Sequence, residues 1–194
     1  MNKNIEHYIF HKENFLNNKE CKDYIKELNV NAWKKHAWHH SATDSFDAPS
    51  GNNEPETITE DLFTDKVAQI NQVILQNLHS TILEYIQSFK FDWYNGWHGY
   101  SVLKFIRYQP NQTMKTHCDH IHSLFDGERK GVPVLSIIGV LNDDYEGGKL
   151  IMLEDKKIDT KAGDLLIFPS NFLYPHQITP VTKGVRYSYV SWVW

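Results

Sequence analysis

The triplet His117-Cys118-Asp119 and the distant His176 are the residues of this chain best suited to hold a metal. Two imidazoles and one carboxylate suit iron(II), because three ligands on one face leave three coordination positions open for other molecules. The single residue between His117 and Asp119 puts both side chains on one face of an extended segment, since side chains alternate along a strand. His176 then arrives from a neighbouring strand. The chain holds 11 histidines, so a His-x-Asp triplet alone carries little weight, and the residues around it decide the matter. His120 and His122 follow directly, and the same alternation points them away from His117 and Asp119, toward solvent.

These residues need a rigid frame, and after about Trp97 the sequence supplies short β-rich runs: YSVLKFIRY, VLSIIGVLN, GKLIML, DLLIF, HQITPV and VRYSYVSWVW. Turn chemistry separates them, in Gln-Pro-Asn, Glu-Gly-Gly and Ala-Gly-Asp, as in a sandwich or closed double sheet. The first half reads as helical. Cys21, Tyr24, Ile25 and Leu28 recur at helical spacing, and Asn17 with Glu20 makes a capping box. From Thr59 to Phe89 a stripe of Val67, Ile70, Val73, Ile74, Leu78, Ile82 and Ile86 predicts one long helix or two. Helices followed by strands indicate an α+β fold in which the helices cover one sheet. Between the helices, residues 30–57 are polar, aromatic-rich and turn-like. They are expected to fold over the mouth of the sheets, with Trp38 touching substrate, or else to pack against the helices.

At 194 residues, 41% of them hydrophobic and 13% aromatic, the chain fits one globular domain, with residues 1–96 as helical support and 97–194 as a catalytic core. A net charge of -4 gives no basic excess and argues against nucleic acid as a partner. Cys21 and Cys118 are too few for a disulfide framework, and no apolar run reaches the length of about 20 residues that spans a bilayer. A soluble, cytoplasmic protein is expected, with no membrane partner. Nothing in the sequence speaks to oligomeric state.

From Arg107 to Trp192 the chain resembles the prolyl 4-hydroxylase type of the iron(II)/2-oxoglutarate oxygenase superfamily. The matching elements are Arg107-Tyr108-x-Pro110, His117-x-Asp119, Leu141-Asn142-Asp143, Gly147-Gly148, Ala162-Gly163-Asp164, Phe168-Pro169-Ser170, His176, Pro180-Val181 and Gly184-x-Arg186-Tyr187, in the family's order. The resemblance implies a double-stranded β-helix, or jelly roll, with iron(II) on His117, Asp119 and His176. It further implies 2-oxoglutarate as cosubstrate and ascorbate as a candidate reductant. The activity it implies is hydroxylation of a C–H bond, most directly in a prolyl residue of a peptide or protein, with release of succinate and CO2. Alternatives are an oxygenase acting on a small molecule or nucleic acid, and a non-catalytic jelly-roll module that merely binds a metal or ligand.

By the same resemblance, Arg186 pairs with the far carboxylate of 2-oxoglutarate and Tyr108 touches that cosubstrate through its hydroxyl. Guanidinium suits the first role because its planar fork donates two parallel hydrogen bonds and stays charged. Ser188 shares a strand face with Arg186 and is expected to add a hydroxyl to the same group. Trp192, further along that strand, is a candidate substrate contact. In one departure, Val140 stands where the family often has a tyrosine, and Ser136 or Ser188 is expected to compensate.

Overall fold

The computed structural model describes residues 4–40, 45–46, 53–90, 96–119 and 133–194, with the backbone alone at 39–40 and 45–46. His120 and His122 lie outside the described residues, as does part of the 30–57 segment. In chain order the first half contains β1 (Phe10–Lys12), α1 (Asn18–Asn29), β2 (Lys34–Lys35), β3 (His39–His40), β4 (Ser45–Phe46), β5 (Glu56–Ile58) and α2 (Asp65–Phe89). The second half contains β6 (Lys104–Tyr108), β7 (Met114–His117), β8 (Leu135–Val140), β9 (Glu146–Gly147) and β10 (Leu150–Met152). After these come β11 (Lys156–Ile158), β12 (Leu165–Pro169), β13 (His176–Ile178), β14 (Val181–Lys183) and β15 (Arg186–Val193).

Antiparallel pairing builds a seven-stranded sheet in the order β1-β12-β8-β15-β6-β5-β2, faced by a four-stranded sheet in the order β11-β10-β13-β7. The large sheet is buried on both sides, and residue parity sorts its side chains. Leu135, Ile137, Phe105, Leu165, Ile167, Tyr187 and Tyr189 join the helices in one apolar cluster. Ile138, Ile106, Tyr108, Leu166 and Phe168 meet Met114, Leu150, Met152 and Ile178 of the small sheet in a second. That second cluster is the interior of the roll. Burial of both faces accounts for β8 having six consecutive buried residues, where a half-solvated strand would alternate. Gly139 lets the sheet carry Tyr189, because a Cβ there would fall on the tyrosine ring.

The α+β jelly roll agrees with the sequence reading, with three adjustments. Residues 65–89 form a single helix, capped by the Thr64 side chain and ended by Lys90 in a left-handed conformation. Its buried face centres on Ile74 and Leu78 and takes in Thr81 and Tyr85, while Val73 stays 40% exposed. Val73 stands about 100° of helical rotation from Ile74, at the flank of the stripe. Strands also come from the first half, since β1 pairs with β12 and β5 with β6, so both edges of the large sheet are made by residues before 97. Finally, HQITPV divides into β13 and β14 at Pro180, which has no N–H for a ladder. Among the described residues, no helix is long and apolar enough to cross a membrane.

Candidate metal centre

β7 and β13 are neighbours in the small sheet, and their register sets His117 directly opposite His176. The two rings lie 4.3 Å apart between centroids. Asp119, two residues beyond His117, turns back so that its Oδ1 is 3.7 Å from His117 Nε2 and 3.9 Å from His176 Nε2. One ligand atom from each of the three falls within 4.8 Å of the others. The structure thus brings together the three residues expected to hold a metal.

What surrounds each side chain decides which atom faces the shared space. His117 Nδ1 is 2.8 Å from the Lys115 carbonyl and His176 Nδ1 is 3.2 Å from the Tyr174 carbonyl. A carbonyl only accepts, so in both rings Nδ1 carries the hydrogen and Nε2 keeps its lone pair for a metal. Ser136 Oγ donates to Asp119 Oδ2 at 2.6 Å, and Ser170 Oγ lies 2.8 Å from Ser136 Oγ. Asp119 Oδ1 is left for the centre. Burial lowers the His117 pKa to about 4, with His176 adding to the effect, so this imidazole is neutral as a metal ligand requires. Burial works against the charge of Asp119. The neighbouring His176 and His117, with the Ser136 hydroxyl and the Trp192 indole, outweigh it and hold the carboxyl below its ordinary range. The Trp192 N–H lies close enough to help in this way without making a well-formed hydrogen bond.

Arg186 sits deeper in the roll, on β15 opposite Tyr108 of β6. It is 1% exposed and its guanidinium stands 5.2 Å from the centre of the Tyr108 ring. Arg186 Nη1 donates to Ser188 Oγ at 2.8 Å, while Nε and Nη2 have no acceptor. A buried cation with two idle donors is costly, and the two nitrogens left open are the pair that a carboxylate would accept from. Burial pushes the Tyr108 phenol up to about 12, so it stays protonated and able to donate.

The expected substrate residues divide. Trp38 packs edge-on against His117, with ring centroids 5.0 Å apart, and its indole N–H is buried without an acceptor. Trp192 lies beside Asp119, as noted. Trp33, from the same aromatic segment, instead packs against Tyr187 and lies under the Arg107 guanidinium, which agrees with the alternative in which these rings support the helical side. Ser136 does not replace the hydroxyl missing at Val140, because it is bonded to Asp119.

One residue, Lys104, was missed in the sequence, whereas His36 lies in the 30–57 segment expected over the mouth. Lys104 Nζ is 3.0 Å from His36 Nδ1, and His36 packs on Trp38 at 5.0 Å, so this pair continues the wall that begins at His117. Burial lowers Lys104 to about 8, against the pull of Asp119, and burial with the nearby lysine lowers His36 to about 3. A signal was present: Lys104 has the parity of Ile106 and Tyr108 within VLKFIRY, which aims a lysine into the roll.

Residues 103–194 match the model of the 2OG-Fe(II) oxygenase superfamily. A PKHD-type hydroxylase of Idiomarina loihiensis is 36% identical over 91 residues, covering 45% of this chain and 39% of the relative. One of Shewanella oneidensis is 38% identical over 94 residues, covering 46% and 41%. The chain therefore spans about two fifths of the length of these curated relatives. Among solved structures, a Pseudomonas putida prolyl-4-hydroxylase superposes with a TM-score of 0.61 at 18% identity, covering 95% of this chain and 91% of the other. A Trichoplax adhaerens prolyl hydroxylase, in complex with a peptide fragment of a hypoxia inducible factor oxygen degradation domain, gives 0.64 at 17%, covering 96% and 83%. These superpositions establish the jelly-roll fold across nearly the whole chain.

Proposed function

We propose that this chain, whose residues 103–194 match the model of the 2OG-Fe(II) oxygenase superfamily, is an iron(II)- and 2-oxoglutarate-dependent dioxygenase that hydroxylates a prolyl residue of a peptide or protein. The observation that carries the reading is the combination of a convergent His117, Asp119 and His176 with a buried Arg186 whose Nε and Nη2 lack acceptors. A module that only held a metal would have no use for such a cation. The residues fit both groups: Nε2 of each histidine and Oδ1 of Asp119 for the iron, Arg186 with Ser188 and Tyr108 for the far carboxylate of the keto acid.

When bound, iron(II) and 2-oxoglutarate supply the oxidising power, as dioxygen converts the keto acid to succinate and CO2 and gives its second oxygen atom to the substrate C–H bond. The chain's own residues do the rest. The Lys115 and Tyr174 carbonyls fix the histidine rings, Ser136 fixes the carboxylate, and the apolar lining of Ile106, Ile138 and Val190 keeps bulk water away. No side chain is needed as a general base. The relatives, which are named PKHD-type and prolyl hydroxylases, and the peptide complex of the Trichoplax protein support a prolyl peptide as substrate. Two thiols outside any disulfide fit a cytoplasmic location.

The test is anaerobic addition of iron(II) and 2-oxoglutarate, which should give a weak visible charge-transfer band, followed by succinate formation in air. His117→Ala and Asp119→Ala should each abolish the band, and an unchanged spectrum in both would remove these residues from the centre.

A further inference from the structure

Lys104 is a cation inside the roll with no carboxylate bonded to it among the described residues. It lies on β6 in the interior-facing row with Ile106 and Tyr108, and its ladder partner is Val190, on the face of β15 that also carries Arg186, Ser188 and Trp192. Its hydrogen-bonding partner among the described residues is His36 Nδ1, an uncharged acceptor. Among the described residues, Asp119 is the acid that pulls on it electrostatically. In the proposed loaded centre that acid is already committed. The charges of iron(II) and Arg186 are together matched by Asp119 and the two carboxylates of 2-oxoglutarate, which leaves Lys104 without a counter-charge among the described residues.

Two further donors border the same region. The indole N–H of Trp38, packed on His117, is buried without an acceptor, and that of Trp192 leans on Asp119 without a well-formed hydrogen bond. Buried donors in excess of acceptors are costly, and an incoming group that accepts hydrogen bonds while carrying negative charge relieves the whole set. A carboxylate does both, whereas a neutral amide supplies an acceptor without the charge.

We propose that Lys104, with the N–H groups of Trp38 and Trp192 that border the same centre, binds a carboxylate of the substrate and so determines which prolyl compounds are hydroxylated. This rests on the oxygenase reading above and narrows it. The carboxylate has two sources: the α-carboxylate of a free or C-terminal proline, or the side chain of an acidic residue next to a prolyl residue within a chain. Lys104 is then a specificity residue on the substrate side of the centre, separate from the Arg186 pocket.

The experiment measures binding by tryptophan fluorescence to the protein loaded with iron(II) and 2-oxoglutarate under nitrogen. Two matched pairs serve as probes: N-acetyl-L-proline against N-acetyl-L-prolinamide, and N-acetyl-Asp-Pro-amide against N-acetyl-Asn-Pro-amide. The acid of at least one pair should bind about tenfold more tightly than its neutral partner, and which pair does so identifies the source. Lys104→Met should erase the preference and Lys104→Arg should retain it, with the charge-transfer band intact in both. Equal binding within each pair, no binding by any of the four probes, or a preference that survives in Lys104→Met overturns the proposal. Loss of the band in the unaltered protein would instead sink the oxygenase reading, so the two failures are told apart.

Discussion

Arg186 is the side chain whose surroundings most need a second molecule, and its replacement should behave in two opposite ways. With cosubstrate, Arg186→Met should raise the 2-oxoglutarate concentration needed for half-maximal turnover at least a hundredfold, since breaking a buried charge pair costs about 3 to 5 kcal/mol. Without cosubstrate, the same variant should be no less stable than the parent, because it removes two donors that have no acceptor. Thermal melts with and without 2-oxoglutarate and manganese check both halves, and a parent-like melting shift in the variant would count against the assignment. Ser136→Ala should weaken iron binding by about 10 to 100-fold, read by titration of the metal against a chelator, because Asp119 then loses the hydroxyl that orients it. The convergence of His117, Asp119 and His176 was legible from residue type and spacing, and Arg186 was singled out by the family resemblance. Ser136 could not be assigned its bond, and Lys104 went unread, because those contacts depend on which strands become neighbours.

Among the elements, the strands of the second half announce themselves through β-branched and aromatic runs, and six of them lie where those runs predict. The short strands of the first half do not. β1 and β5 have three residues each, too few to show a period, and they exist because β12 and β6 offer open edges to pair with. A capping box was legible at Asn17 and Glu20, and both of its hydrogen bonds are present. Asn17→Ala should therefore cost about 1 kcal/mol in urea unfolding. Gly139→Ala should be far more damaging, since the added methyl meets the Tyr189 ring between β8 and the central strand β15. Its expected signature is a large fall in the unfolding midpoint, and a parent-like midpoint would show that the sheet can open there at little cost.

Across the whole molecule, we infer that residues 1–194 act as a single unit, supported by the first-half strands that complete both edges of the large sheet. The aromatic segment expected to close over the mouth is tied down at its described ends, by β2 on β5 and by Trp38 on His117. Hydrogen exchange should accordingly show the amides that bond β2 to β5 protected with or without ligand, and exchange there that slows only on adding peptide would restore a moving cover. One further consequence follows from the sheet order. The outermost strands are β1 and β2 of the large sheet and β11 and β7 of the small one, and each carries a lysine: Lys12, Lys34 with Lys35, Lys156 with Lys157, and Lys115. An unpaired strand edge is a template on which another chain can add itself, and a charged, well-hydrated side chain discourages that growth. The same residues that finish the roll thus keep separate molecules from stacking edge to edge, and a Lys156→Val, Lys157→Val double variant should form thioflavin-positive aggregates sooner than the parent at equal concentration.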